Sequence, residues 1–134
     1  MTTVEQYYQE IGLAVVELAT GATGRIALFS QAEDGHISAS MFYIETNNPR
    51  LRCIYPPESV LMKVYAFWEE WGRDEENKTW VTMCLIIDGD DFTIDFLYPD
   101  DFTSGFPSRE DEVRLLDHYF GSSDVDRSNP GGGY

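Results

Sequence analysis

The residues of this sequence best able to do chemistry are carboxylates concentrated in less than a third of the chain. Residues 88–126 hold 12 acids against 2 bases, whereas residues 1–87 hold 12 acids against 6 bases. Carboxylates at this density can bind a cation, work in pairs as general acid and base, or attract a basic protein. The candidate partner-binding residues are the turn, loop and helix-start acids of 88–112 and two neighbouring aromatic residues. They are Asp88, Asp90, Asp91, Asp100, Asp101, Phe102, Phe106, Glu110, Asp111 and Glu112.

Part of this charge has a local structural explanation. Aspartates suit tight turns, which accounts for residues 88–91, and acids in the first turn of a helix are stabilised by its dipole, which accounts for residues 110–112. So many like charges close together repel one another, however, and their sum favours a functional acidic surface over a merely solvated face. Phe102 and Phe106 either contact a partner or fold back onto the core, and the sequence favours neither.

Patterns for metal binding and catalysis are weak. The segment D-G-D-D-F-T-I-D does not match the register of an EF-hand loop, and G-A-T-G lacks the lysine and spacing of a phosphate-binding loop. Neither His36 nor His118 has a nucleophile motif beside it. Cys53 and Cys84 lie in apolar runs, which is typical of buried free thiols. We therefore expect no catalytic, metal or cofactor site, with a small metal-dependent hydrolase as the less favoured alternative.

The overall charge restricts the class of partner. A formal net charge of −15 opposes binding to nucleic acid or to an anionic membrane, because both are polyanions. It suits a basic protein, a cation or simple solubility. The N-terminal sequence M-T-T-V-E-Q-Y-Y has no signal-peptide pattern, and no apolar run reaches the ~20 residues of a membrane helix. We therefore expect a cytoplasmic protein, whose 43% hydrophobic residues support a packed core.

The elements that must position these acids are predicted from hydrophobic periodicity. Apolar residues at three- and four-residue spacing predict three helices, which cover residues 3–20, 58–71 and the stretch from a Ser108 cap to Gly121. Asp111, three residues after Ser108, is predicted to complete an approximate capping box. Alternating apolar and polar residues predict strands at 36–45 and at 92–98, where Phe92, Ile94, Phe96 and Tyr98 point inward. The segment 79–87, which is rich in β-branched and apolar side chains, and the segment 25–31 are also predicted as strands, with an optional short strand at 51–55. Trp68, Trp71 and Trp80 are interpreted as core residues rather than an exposed patch.

These elements predict an α+β fold in the order α-β-β-(β)-α-β-β-α. The hairpins indicate an antiparallel sheet of about four to five strands, with helices covering one face. Residues 1–121 form a single globular domain, and residues 122–134 form a polar, glycine-rich C-terminal tail.

Several local patterns, in this order of elements, resemble the YezG-like family of immunity proteins. The patterns are Y-Y-Q-E-I-G in the first helix, the tryptophans of the second helix, and Arg109 with Y-F-G at 119–121 in the last helix. The longest pattern is K-T-W-V-T-M-C-L-I-I-D-G-D-D-F-T-I-D-F-L-Y-P-D-D-F. The resemblance covers about residues 4–121. The last helix departs from the family in L-L-D-H-Y-F-G, where members often carry a tryptophan and lysines.

Members of this family neutralise the toxic C-terminal domains of bacterial polymorphic toxins, including those of contact-dependent inhibition systems. The resemblance therefore implies an α+β fold and an antitoxin that binds a cognate toxin domain, a basic nuclease, with no chemistry of its own. Each immunity protein matches its own toxin, so interface residues do not carry over from the family. The alternative is an acidic interaction adaptor without a toxin partner.

Overall fold

The α+β fold predicted from the sequence is confirmed by the computed structural model, which describes residues 4–45, 48–73, 76, 79–103, 105 and 107–126. The three helices are α1 (Val4–Leu18), α2 (Glu58–Gly72) and α3 (Arg109–Phe120). The strands are β1 (Ala22–Glu33), β2 (His36–Glu45), β3 (Leu51–Ile54), β4 (Thr82–Asp88), β5 (Asp91–Leu97) and β6 (Val125–Asp126). A short 3-10 helix, Pro99–Asp101, lies between β5 and α3. Among the described residues, no helix combines the length and apolar character needed to cross a membrane.

One sheet organises these elements, with its strands in the order β5-β4-β1-β2-β3-β6. All neighbours are antiparallel except β3 and the two-residue β6, which run parallel and extend the sheet beyond Gly121. The register places Leu28 of β1 opposite Met41 of β2 and Leu85 of β4. In this order β1 and β4 are interior strands. Strands β5 and β6 lie at the two edges, and β5 is the longer of these two.

Helices pack on both faces of the sheet, so the prediction that they cover one face is wrong. Helices α1 and α2 pack on the face that carries Leu28, Met41 and Leu85. Helix α3 packs on the opposite face, where Leu116 joins the cluster that contains Cys84. The physical reason is that β1 and β4 carry apolar side chains at consecutive positions, and both of their faces must be removed from water.

Aromatic packing on the α1 and α2 face confirms the core interpretation of Trp80. Its side chain is fully buried, and its ring centroid lies 6.0 Å from that of Phe67 and 5.5 Å from that of Phe96. Trp68 is half-buried and donates its indole N–H to the main-chain carbonyl of Trp80 at 2.9 Å. Trp71 is also half-buried, with its ring centroid 4.9 Å from that of Phe96. Cys53 and Cys84 are buried free thiols, as predicted.

A glycine in the middle of α1 allows this helix to lie directly on β5. A β-carbon at Gly12 would come within 2.2 Å of Cε2 in the Phe92 ring. Glycine inside a helix costs about 1 kcal/mol relative to alanine. Here that cost is offset by contact between the helix backbone and an aromatic ring of the edge strand.

Candidate functional site

The candidate partner-binding acids of 88–112 form two groups at opposite ends of β5 rather than one surface. The strand spans Asp91–Leu97, and a rise of ~3.3 Å per residue separates its ends by ~20 Å. We call the first group the turn patch; it consists of Asp88, Asp90 and Asp91. We call the second group the helix-start patch; it consists of Asp100, Asp101, Glu110, Asp111 and Glu112.

The turn patch is built on a two-residue turn between β4 and β5. Gly89 has a φ of +62°, the positive value that the primed hairpin turns require at the first central position, and Asp88 pairs with Asp91 across it. The local fold thus places three aspartates around one glycine. Asp90 and Asp91 are exposed, and within the described residues neither side chain has a hydrogen-bond or ion-pair partner.

The third aspartate of the turn patch is paired with an arginine. Arg25 donates from Nε and Nη2 to the two carboxylate oxygens of Asp88, at 2.8 and 2.9 Å. These hydrogen bonds lower the pKa of Asp88 below its usual value. Arg25 also donates from Nη1 to the Tyr119 carbonyl at 2.6 Å, near the end of α3 where helix carbonyls lack intrahelical partners. Asp88 therefore joins the hairpin to α3 through Arg25.

Carboxylates of the helix-start patch hydrogen-bond to the backbone. Asp101 accepts the Tyr98 N–H at 2.7 Å and caps the 3-10 helix. Asp111 accepts the Ser108 N–H at 2.8 Å, while the Ser108 hydroxyl accepts the Asp111 N–H at 3.3 Å. This reciprocal pair is the predicted capping box at the start of α3. Arg114 donates to the other Asp111 oxygen, and Asp111 is only 7% exposed.

Burial also decides the role of two candidate residues. The sequence left the role of Phe102 undecided and assigned Asp111 to partner binding. Phe102 is buried, so it folds back onto the protein instead of projecting into solvent. The buried carboxylate of Asp111 is likewise turned towards α3. Phe106 lies outside the described residues. Asp100, Asp101 and Glu110 are exposed and Glu112 is half-buried.

The face of β5 that packs towards α3 contains an unpredicted polar contact. The Tyr119 hydroxyl donates to Asp95 Oδ2 at 2.6 Å, which links α3 to β5. Partial burial, reinforced by this bond, raises the pKa of Tyr119. Burial raises the pKa of the neighbouring Cys84 thiol to about 12, so the thiol stays protonated and unreactive near neutral pH.

An apolar groove beside the turn patch was missed by the sequence analysis. It has a volume of about 200 Å³ and runs along the open side of β5. Its lining residues are Tyr8, Phe67, Trp71, Phe92, Ile94 and Phe96. The alternation in 92–98 predicted that Phe92, Ile94 and Phe96 point inward, and their side chains do face α1 and α2. Because β5 is an edge strand, however, they are only half-buried.

A second groove continues the first towards the turn patch. It shares Tyr8 and Phe92 with the first groove, has a volume of about 360 Å³, and also contacts Gln9, Leu13 and Asp90. Leu13 is 63% exposed, which makes it the most exposed large apolar side chain among the described residues. The two grooves share Tyr8 and Phe92, so the surface that they line extends from β5 to Asp90 of the turn patch.

Two further observations bear on the chemistry of the site. Among the described residues, no group of three or more His, Cys, Asp or Glu side chains is arranged to hold a metal ion. In comparisons with known proteins, neither a protein-family model nor a curated protein matches this chain.

Proposed function

We propose that this protein is a cytoplasmic immunity protein that binds and neutralises a basic bacterial toxin domain, a nuclease. The observation that carries this proposal is the position of the turn patch. Asp90 borders an exposed apolar groove, and Asp91 adjoins it on the same turn. An apolar centre with a charged rim is the usual composition of a protein interface, and here all the candidate rim charges have one sign.

The two parts of this surface have different roles in binding. Long-range attraction between the acids and a basic partner speeds encounter and orients the partner. Apolar and aromatic contacts supply most of the affinity, since binding energy concentrates in well-packed, desolvated residues near the centre of an interface. Half-buried Phe92 and exposed Leu13 are suited to the second role.

A nuclease is the class of toxin that this charge fits best. A nuclease holds its polyanionic substrate with lysine and arginine side chains, so it presents a basic surface. An acidic protein can cover that surface and compete with the nucleic acid for it. The resemblance to YezG-like immunity proteins supports the same class of partner.

The proposal is tested by co-expression with the C-terminal domain of the protein encoded by the neighbouring open reading frame. We expect that domain to be toxic alone, harmless in the presence of this protein, and to co-purify with it. A domain that is harmless alone, or that does not co-purify, would contradict the proposal and favour the adaptor alternative.

A matched pair of double variants tests the turn patch within that complex. Asp90→Asn with Asp91→Asn removes two charges from the turn patch, and Glu33→Gln with Asp34→Asn removes two exposed charges from the β1–β2 turn. We expect the first pair to slow association about tenfold at low salt and to weaken its salt dependence. The second pair should change the rate much less. Equal effects from both pairs would show that only net charge matters.

A further inference from the structure

The outer edge of β5 is a second feature of this surface that no function described so far uses. Strand β5 pairs with β4 on one side, and within the described residues no strand pairs with its other side. The two-residue turn makes Asp88 and Asp91 a hydrogen-bonded pair, and such pairs alternate along an antiparallel ladder. The backbone groups of Phe92, Ile94 and Phe96 therefore point away from β4, towards solvent.

Side-chain chemistry at this edge also alternates. Phe92, Ile94 and Phe96 carry both the outward backbone groups and the side chains that line the apolar groove. Asp91, Thr93 and Asp95 point to the opposite face and are exposed. A strand placed beside β5 would therefore meet an apolar surface on one face and two carboxylates on the other.

We propose that β5 binds an extended strand of the basic partner protein, in which apolar residues alternate with lysine or arginine. The strand adds to the sheet beyond β5 and makes main-chain hydrogen bonds to Phe92, Ile94 and Phe96. Its apolar side chains enter the groove between α1 and β5. Its basic side chains lie beside Asp91 and Asp95 on the other face. The identity of the partner rests on the proposed function, whereas the chemistry of the strand does not.

Charge favours this occupant over a second copy of the same chain. Antiparallel pairing of two β5 strands centred on Thr93 would place Asp91 of each copy opposite Asp95 of the other. Like charges directly opposite on paired strands are destabilising, and each copy also carries a net charge of −15. A partner strand with basic residues opposite Asp91 and Asp95 would instead be attracted to these carboxylates.

The first test needs no toxin. The probe is a short blocked peptide in which lysine and valine alternate, and the control peptide replaces each lysine with glutamate. We expect the lysine peptide to shift the backbone amide NMR signals of Phe92, Ile94 and Phe96, with little effect from the glutamate peptide. Equal shifts from both peptides, or shifts confined to the helix-start patch, would overturn the proposal.

Hydrogen exchange in the complex with the toxin domain is the second test, and β5 supplies its own control. In the free protein, the outward amides of Phe92, Ile94 and Phe96 should exchange faster than the inward amides of Thr93 and Asp95. In the complex we expect the outward amides to slow at least tenfold. A complex without this protection would overturn the proposal and leave the immunity function intact. If the protein binds the peptide but forms no complex with the toxin domain, the immunity function is contradicted and the β5 proposal stands.

A pair of substitutions at exposed Thr93 tests the charge of the added strand. Thr93→Lys should raise the dissociation constant of the toxin complex or of the lysine peptide about threefold to fivefold, and Thr93→Glu should lower it by a similar factor. Equal effects of both variants would contradict a basic strand. Dimers of the free protein with slowly exchanging outward amides would also overturn the proposal, because a second copy would then occupy the edge.

Discussion

The turn patch and the helix-start patch are made of the same residue types, but the fold uses them differently. At the helix start, Asp101 and Asp111 accept hydrogen bonds from backbone N–H groups and hold local structure. At the turn, Asp90 and Asp91 extend into solvent, and Asp90 borders an apolar groove. A carboxylate bonded to a backbone N–H compensates a group that would otherwise lack a partner. The number of acids in a segment therefore overstates the charge that it can offer to another protein.

The two patches also differ in how they are joined to the rest of the molecule. Asp111 acts within its own helix start, since its partners Ser108 and Arg114 are three residues away on either side. Asp88 connects residues that are distant in sequence, because its partner Arg25 also binds the Tyr119 carbonyl. Substitutions in the two patches should therefore separate effects on stability from effects on binding.

The largest effect on stability is expected at Asp111. Asp111→Ala removes the carboxylate that accepts the Ser108 N–H in the capping box of α3, and with it the partner of the exposed Arg114 side chain, so the free energy of unfolding should fall by about 1–2 kcal/mol. Chemical denaturation followed by circular dichroism measures this change. Glu110→Gln, on the neighbouring exposed residue, is the matched control and should cost less than about 0.5 kcal/mol. Equal losses would mean that Asp111 contributes only charge near the helix dipole.

A smaller effect is expected at the arginine that serves the turn patch. Arg25→Ala removes an exposed two-point ion pair and a bond to the end of α3, and should cost about 1 kcal/mol. The variant should also leave Asp88 available to a basic partner and so speed association. A variant as stable as the wild type would show that this pair contributes nothing measurable to the fold.

The pH dependence of stability provides a separate test of the Arg25–Asp88 pair. Because the pKa of Asp88 is lowered in the folded protein, its stabilising contribution is present above the unfolded value of about 3.9 and is lost as the pH falls through the lower folded value. The difference in unfolding free energy between the wild type and Asp88→Asn should therefore shrink below about pH 4. A difference that stays constant through this range would contradict the assignment.

The smallest effect on stability is expected at the tip of the turn. Asp90→Asn with Asp91→Asn should change the free energy of unfolding by no more than about 0.5 kcal/mol, because both side chains are exposed. Thermal unfolding measures this change. The same double variant is the one expected to associate more slowly with the toxin domain. A large loss of stability would show that these two aspartates hold local structure, as Asp101 and Asp111 of the helix-start patch do.

Much of the fold could be predicted because its signals are local. The alternation in 92–98 and the D-G-D-D turn predicted the β4–β5 hairpin, and Ser108 with Asp111 predicted the start of α3. The side of the sheet that α3 covers was predicted wrongly, since amphipathic helices can pack on either face. The apolar run of β4 is consistent with burial on both faces, and it was the available signal for two helical layers.

The candidate site was less predictable because it depends on strand order. The acids were found from composition, but their division into two patches follows from the ~20 Å length of β5, and the structural role of Asp101 follows from its reach to Tyr98. The groove could not be found from Phe92, Ile94 and Phe96 alone. Their alternation is the same in an interior strand, where helices and neighbouring strands would cover them fully.

Local sequence patterns were enough to predict the element types, the acidic character and the positions of the turns, because these depend on side chains within a few residues of one another. The tertiary structure was needed to show which carboxylates extend into solvent, which are bonded to backbone, and which strand lies at the edge. These properties depend on contacts such as Arg25 with Asp88 and Tyr119 with Asp95, whose partners are far apart in the chain. The physical reason is that burial and pairing are set by the order of strands in the sheet, which hydrophobic periodicity does not encode.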